Sequence, residues 1–319
     1  MKGVLVTGAT TPLGRALVRA LLADPEVEQV LAVGLEAEGA CELPVERPEL
    51  RYVQVDLARS RGVRDLLFGP ARELEVEVVV HAPLHRDPRD RGHRVHAANV
   101  ESTRSLLQLC ERHPTIRRLV FRSHAELYAV RGDQPTVFAE DHPIDFSTDA
   151  PQWLRDRVEA DLTVCARMGL SELEIVVIRA AECVGPRVGS QLFDYLRSRV
   201  CLRPLGYDPV LNVISIADLV EALRLAVHSR AQGVFNIAGV DTLPLSALVR
   251  AAGRVGVPLP GPLLSPLYRL RQLTRGTAFR YDLNLWRFHF SGVPDDRRAR
   301  QVLGYQARHP VCWADVPRL

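Results

Sequence analysis

Gly3-Val4-Leu5-Val6-Thr7-Gly8-Ala9-Thr10-Thr11-Pro12-Leu13-Gly14 stands almost at the start of the chain, and its order decides the fold. The run of residues 3 to 7 has the continuous apolar character of a strand buried on both faces. Residues 12 to 22 follow with helical periodicity, and proline is tolerated in a helix's opening turn. Between them Gly8 and Gly14 make a tight connection, a strand–turn–helix unit that turns backbone N–H groups and a helix N-terminus toward a pyrophosphate.

Moving outward, apolar runs alternate with helix-period segments. Further strands are expected at 29 to 33, 51 to 55, 76 to 81, 118 to 122 and 173 to 178, with long helices at 94 to 112 and 153 to 168. This alternation predicts an α/β architecture, a doubly wound parallel sheet over residues 1–178. From Arg179 onward prolines and glycines interrupt the pattern, so a second, smaller C-terminal lobe is expected over 179–319. Segments near 211–239 return to the main domain, with a helix at 216 to 228 and a strand at 233 to 237.

The 319 residues are 47% hydrophobic and 25% charged, which suits a folded globular protein and not a disordered one. A net charge of +3 gives no electrostatic case for nucleic acid. No apolar run reaches the roughly 18 residues that span a bilayer, and the opening residues lack the pattern of a secretion signal, so a cytoplasmic protein without a membrane partner is expected. Cys41, Cys110, Cys165, Cys183, Cys201 and Cys312 form no CxxC pair and are expected to be buried free thiols, with neither disulfide framework nor metal site. Arg86-Asp87-Pro88-Arg89-Asp90-Arg91 reads as a solvated loop of mixed charge. Of 41 basic residues only Lys2 is lysine, so no lysine-dependent chemistry is available further along the chain.

The opening turn resembles the TGxxGxxG motif of extended short-chain dehydrogenase/reductases, the group that holds the NAD-dependent epimerases and dehydratases, with Thr11 at the middle glycine. Asn99-Val100-Glu101-Ser102-Thr103, Arg179 to Pro186, Val213 to Leu219 and Phe235 to Gly239 resemble later segments of the same family in the same order. The resemblance implies a Rossmann domain that binds NAD or NADP and makes the smaller C-terminal lobe a substrate lobe. Its cofactor contacts fall on Gly8, Thr10, Thr11, Leu13 and Gly14 in the turn, on Asp56 and Leu57 after the third strand, and on His81 and Ala82 after the fourth. At the end of the second strand Gly34 and Leu35 occupy the places of the ribose-binding acid, and Glu36 comes two residues late.

Family enzymes pair a Ser or Thr with a Tyr-x-x-x-Lys, in which lysine lowers the tyrosine pKa for proton transfer while hydride moves to or from nicotinamide. On the matching positions here stand His124, Trp153 and Arg157, with Asp161 trailing and Asn99 on the preceding helix. An indole has no titratable proton and a guanidinium does not release one near neutrality. Conventional hydride transfer is therefore not expected. Two readings follow from these residues. One is a protein that binds a dinucleotide or nucleotide-like small molecule and acts as sensor, scaffold or accessory subunit. The other is an enzyme, either a non-redox epimerase or lyase using His124 and Glu126, which leave the fifth strand two residues apart, or an NAD(P)-dependent epimerase or reductase with an unusual proton donor. His124 and Glu126 with His81 also make a conceivable metal set. The resemblance further implies a possible homodimer through the helices of Asn99 and Trp153, although Leu106, Leu107, Cys110, Leu162 and Val164 serve an internal core equally well.

Overall fold

The computed structural model describes residues 3–82, 92–147, 150–275 and 277–317. The charge run 86–91 and Pro83 lie outside them. Seven parallel strands form the main sheet in the order Gly233–Ile237, Glu174–Ala180, Arg118–His124, Val76–His81, Gly3–Thr7, Gln29–Gly34, Leu50–Gln54. The order reverses between Gly3–Thr7 and Val76–His81, because the first strand pairs with the second on one side and with the fourth on the other. A crevice opens at such a switch point, beyond the carboxyl ends of the strands.

Two apolar layers bury the sheet. On one face Val4, Val6, Val80, Val120 and Ile178 pack against Leu13, Leu17 and Leu21 of the helix Pro12–Leu22 and Leu219 and Leu223 of the helix Ile216–His228. On the other Leu5, Leu31, Val79, Phe121 and Val177 meet Leu66, Leu106, Leu107 and Val164 from three further helices. Both faces being covered is why the strands are apolar without alternation. Leu106, Leu107, Cys110 and Val164 thus belong to the internal core, and only Leu162 of that set is partly exposed.

The expected helix at 94 to 112 is broken into His93–His96, a wide π turn at Ala97–Glu101, and Ser102–Cys110. Ser102 and Thr103 hydroxyls donate back to the carbonyls of Ala98 and Asn99 at 2.6 and 2.7 Å, satisfying groups that the widened turn leaves without ordinary helical partners. The fifth strand runs two residues longer than expected, to His124, and Glu126 then lies in a short 3₁₀ turn, Ala125–Leu127.

Beyond the main sheet, a three-stranded sheet joins Asp241–Pro244, Val210–Ile214 and Glu182–Cys183. Tyr195, Tyr268, Phe279, Tyr281 and Phe288 form an aromatic core beside it. The separation is not clean along the chain: Glu174–Ala180 crosses residue 178, Gly233–Ile237 completes the main sheet, and Val293–Pro294 pairs with Val137–Phe138. Among the cysteines, Cys312 is exposed and Cys165 half-buried, contrary to the expectation that all six are enclosed, since each lies where no apolar layer covers it fully. Among the described residues, no helix is long and apolar enough to cross a membrane.

Candidate functional site

A cavity of about 330 Å³ lies at the switch point. Its walls include Gly8, Thr10, Thr11, Gly34, Leu35, Glu36, Asp56, Leu57, His81, Ala82, Ala98 and Ser102, so residues from both sides of the strand-order reversal converge on it. Leu13 does not line it; its side chain is in the core under the first helix. Gly14 also stands away from it, packed behind the turn.

The turn is locked by its own polar groups. Gly8 has φ +64°, a left-handed conformation that favours glycine. Thr11 caps the helix: its hydroxyl accepts from the Gly14 amide at 3.0 Å and donates to the Gly8 carbonyl at 2.8 Å. That hydroxyl proton is committed to the turn, so Thr11 replaces a glycine as a capping residue and keeps no proton for a phosphate. Pro12 offers no N–H either, which leaves fewer backbone donors than a glycine-only turn presents.

At the ribose end the late acid comes back into position. Thr10 donates its hydroxyl to Glu36 Oε2 at 2.5 Å, and the Tyr52 hydroxyl donates to the Glu36 carbonyl at 2.5 Å. Gly34 makes this possible, since a Cβ there would stand 2.5 Å from Thr10 Cγ2 and 2.7 Å from the Tyr52 oxygen. Glycine lets the chain pass close to Thr10, and the two extra residues bring Glu36 into the crevice wall. Burial pushes Tyr52 up to about 12, so it stays a protonated donor.

His81 is a structural residue. Its Nδ1 is 2.9 Å from Thr7 Oγ1 and its Nε2 3.0 Å from Thr103 Oγ1. Because the Thr103 proton goes to the Asn99 carbonyl, Nε2 carries the hydrogen and Nδ1 accepts from Thr7. Burial pushes its pKa down to about 3. With both nitrogens occupied, His81 has no lone pair for a metal. Among the described residues no group of three or more His, Cys, Asp and Glu side chains is arranged to hold one.

Deeper in, the positions that resemble a catalytic triad are filled by a buried ion-pair network. Arg157 donates to Glu126 Oε2 and lays its guanidinium 4.7 Å from the Trp153 ring centroid, one helical turn back on the same face. Arg287 comes from the C-terminal lobe and donates to Glu126 Oε1 at 3.0 Å and to Glu182 Oε2 at 2.7 Å. Glu182 Oε1 accepts from the Ser190 hydroxyl and the Leu192 amide. Burial and the nearby Glu182 raise the Glu126 pKa against the pull of Arg157 and Arg287. Burial also pushes Glu182 up, but Arg287 and its other donors outweigh this and lower it.

His124 and Glu126 do come together, at 4.0 Å between Nδ1 and Oε2. Both Glu126 oxygens are held by arginines, and burial beside Arg157 and Arg122 drives the His124 pKa well below its ordinary value. Ser123 lies on the opposite face and donates to Asp161 Oδ2 at 2.5 Å, while Arg179 clamps Asp161 with bonds of 3.1 and 2.6 Å. Tyr128 is enclosed between Arg179 and Asn236. Asn99 lies on the π turn with its Nδ2 buried and unpartnered, and the Trp153 Nε1 is unpartnered too.

Sequence reasoning missed Arg122 and Arg287. Arg122 had a visible signal, a charge inside the apolar run Leu119-Val120-Phe121. Arg287 had none, because 161 residues separate it from Glu126.

The model of the NAD dependent epimerase/dehydratase family matches residues 4–238. An uncharacterized protein of Mycobacterium tuberculosis is 30% identical over 322 residues, covering 99% of this chain and 81% of its own length. Among solved structures, the Bordetella bronchiseptica enzyme WbmH in complex with NAD+ has a TM-score of 0.72 at 19% identity, covering 99% of this chain and 96% of its own. The dTDP-glucose 4,6-dehydratase of Bacillus anthracis in complex with NAD has a TM-score of 0.70 at 16% identity, covering 97% of this chain and 92% of its own.

Proposed function

The chain belongs to the NAD-dependent epimerase/dehydratase family, and from that premise we propose that it binds NAD in the crevice without running the family's hydride transfer, acting as a sensor, scaffold or accessory subunit. One observation carries the proposal: Arg157, stacked on Trp153 and paired with Glu126, fills the place of the proton-transfer pair with groups that do not titrate near neutrality.

The crevice suits the group. The volume and the mixed apolar and polar wall accommodate the adenosine and pyrophosphate portions. Gly8, Thr10 and the start of the first helix would hold the pyrophosphate, and Asp56 and Leu57 the adenine end. Glu36, held by Thr10, accepts from the ribose hydroxyls, and its carboxylate disfavours a 2'-phosphate, which selects NAD over NADP. Bound nicotinamide supplies a hydride acceptor. No group of this chain at residues 124, 153 or 157 complements it by moving a proton: His124 is buried and neutral, Trp153 is not an acid, and Arg157 is held in its ion pair with Glu126.

Calorimetric titration of ligand-stripped protein with NAD+, NADH, NADP+ and NADPH tests the proposal. Micromolar binding of the NAD pair with weaker NADP binding is expected, together with no sustained absorbance change when carbonyl or sugar-nucleotide compounds are added. Absence of binding at millimolar nucleotide removes the cofactor claim, and steady NAD(P)H turnover removes the redox claim.

A further inference from the structure

The helix Gly261–Arg275 is fastened to the aromatic-cored lobe along one side only. There Leu264 and Tyr268 are buried, and the Tyr268 hydroxyl donates to the Leu202 carbonyl at 2.8 Å and accepts from the Leu202 amide at 3.0 Å. The opposite side carries Leu263, Leu267, Leu270 and Leu273, which are 50%, 37%, 56% and 86% exposed. At 3.6 residues per turn these four fall within an arc of about 120° and reach about 15 Å along the axis. Pro262 and Pro266 are exposed on the same side. A single exposed leucine is ordinary, whereas four in line make a continuous apolar patch, which marks a surface that meets something.

Charge decides what covers this face. The helix contains no Asp or Glu. Arg269 and Arg271 bracket the leucines, each about 40° beyond one end of their arc. Arg271 lies over the Tyr268 ring and donates to the Val200 carbonyl at 2.7 Å, and among the described residues it has no ion pair. Arg269, with its side chain 66% exposed, stands 3.7 Å from Asp282, a carboxylate that Arg280 holds at 2.5 Å. A second copy of the chain pairing this helix with itself across a two-fold axis would set arginines against arginines, with no acid on the helix to receive them. The patch is leucine and proline, without the tryptophan, tyrosine or methionine that anchor protein interfaces. An apolar stripe edged by cations matches a surface that is apolar within and anionic at its rim, which is the surface of a bilayer.

We infer that the outward face of Gly261–Arg275 rests on an anionic lipid bilayer, the four leucines entering the acyl boundary and Arg269 and Arg271 meeting lipid phosphates. Among the described residues no helix can cross a membrane, but a helix that lies in the plane of the interface needs no spanning length. The contact is therefore peripheral and reversible. It is independent of the nucleotide crevice, to whose wall this helix contributes no residue.

Co-sedimentation of the full chain with unilamellar vesicles tests this. One set is pure phosphatidylcholine and the other carries roughly one-third phosphatidylglycerol, each at low and high salt. The protein should sediment with the anionic vesicles, less so at high salt, and little with the neutral ones. Leu270→Ser combined with Leu273→Ser should lower the partition coefficient by about tenfold or more, with the thermal midpoint unchanged because both side chains already face water. Arg269→Gln should weaken binding to anionic vesicles by roughly fivefold and leave neutral vesicles unaffected. Should the double variant fail to fold, Leu273→Ser alone carries the test. Absence of sedimentation with anionic vesicles, equal sedimentation with both kinds, or undiminished sedimentation of the leucine variant overturns the inference. A dimer seen by analytical ultracentrifugation and lost in the leucine variant, with no vesicle binding, assigns the face to a second copy of the chain and overturns it as well.

Discussion

Arg157 faces Trp153 at 4.7 Å and ends in an ion pair with Glu126, so two residues spaced as a proton-transfer pair are joined here by stacking and charge. The spacing that brings a lysine near a tyrosine in the resembling enzymes, four residues on a helix, brings a cation over an aromatic face instead. The four-residue spacing is kept, and here it carries an aromatic stack and an ion pair.

If cohesion is the role of Glu126, then Glu126→Gln should destabilise the fold by about 3 kcal/mol, because it leaves Arg157 without its carboxylate partner and Arg287 with Glu182 alone. Urea denaturation measures this directly. Glu126→Leu combined with Arg157→Leu should recover most of the loss. A Glu126→Gln midpoint equal to that of the unaltered protein would rule the network out as a stabilising element.

Glu36→Ala should cost the protein its preference for NAD over NADP. Losing one charged acceptor of the ribose hydroxyls is worth about 1.5–3 kcal/mol, or roughly tenfold to a hundredfold in the NAD+ dissociation constant, with little change for NADP+. Isothermal titration of both nucleotides against the variant reads the difference.

Thr11 offers a test that separates capping from ligand contact. Thr11→Ala should cost about 1 kcal/mol of stability and Thr11→Gly only a few tenths, since glycine is itself tolerated at a helix N-cap. Because the Thr11 hydroxyl is turned into the chain, NAD+ affinity should not fall in Thr11→Gly; a tenfold loss there would mean that the hydroxyl contacts the ligand.

Acidification should destabilise the protein through His81. Its folded pKa is about 3 against an ordinary 6.5, so between those values the unfolded chain binds a proton that the folded chain does not. Stability is complete above about pH 6.5 and falls toward pH 3, by at most about 1.4 kcal/mol per pH unit from this residue. His81→Gln, which cannot titrate, should show a shallower decline of its urea midpoint between pH 7 and 5.

Much of the fold was legible because periodicity reports burial. Gly233–Ile237 and Ile216–His228 are found where the apolar pattern places them, and the glycine turn marks the crevice. Local bonding that carries no periodic signal was not legible. The π turn at Ala97–Glu101 reads as ordinary helix because its apolar positions barely drift, although Ser102 and Thr103 are the hydroxyls that support it. Glu36 looked misplaced because counting along a strand assumes that the backbone continues straight, whereas Gly34 permits a close pass that brings it back. His124 and Glu126 were expected together for the wrong reason: the strand ends at His124, and a 3₁₀ turn, not strand alternation, returns Glu126 to its side.

Arg287 reaches from the aromatic-cored lobe to Glu126 at the end of the main sheet while also holding Glu182, and this changes how substitutions nearby must be interpreted. Glu126, which an investigator would replace early to look for catalysis, is also the residue through which that lobe is tied to the main sheet. A variant of Glu126 that loses a biological effect is expected to have lost this tie as well. Only a paired measurement of folding can tell a broken reaction from an unlatched protein.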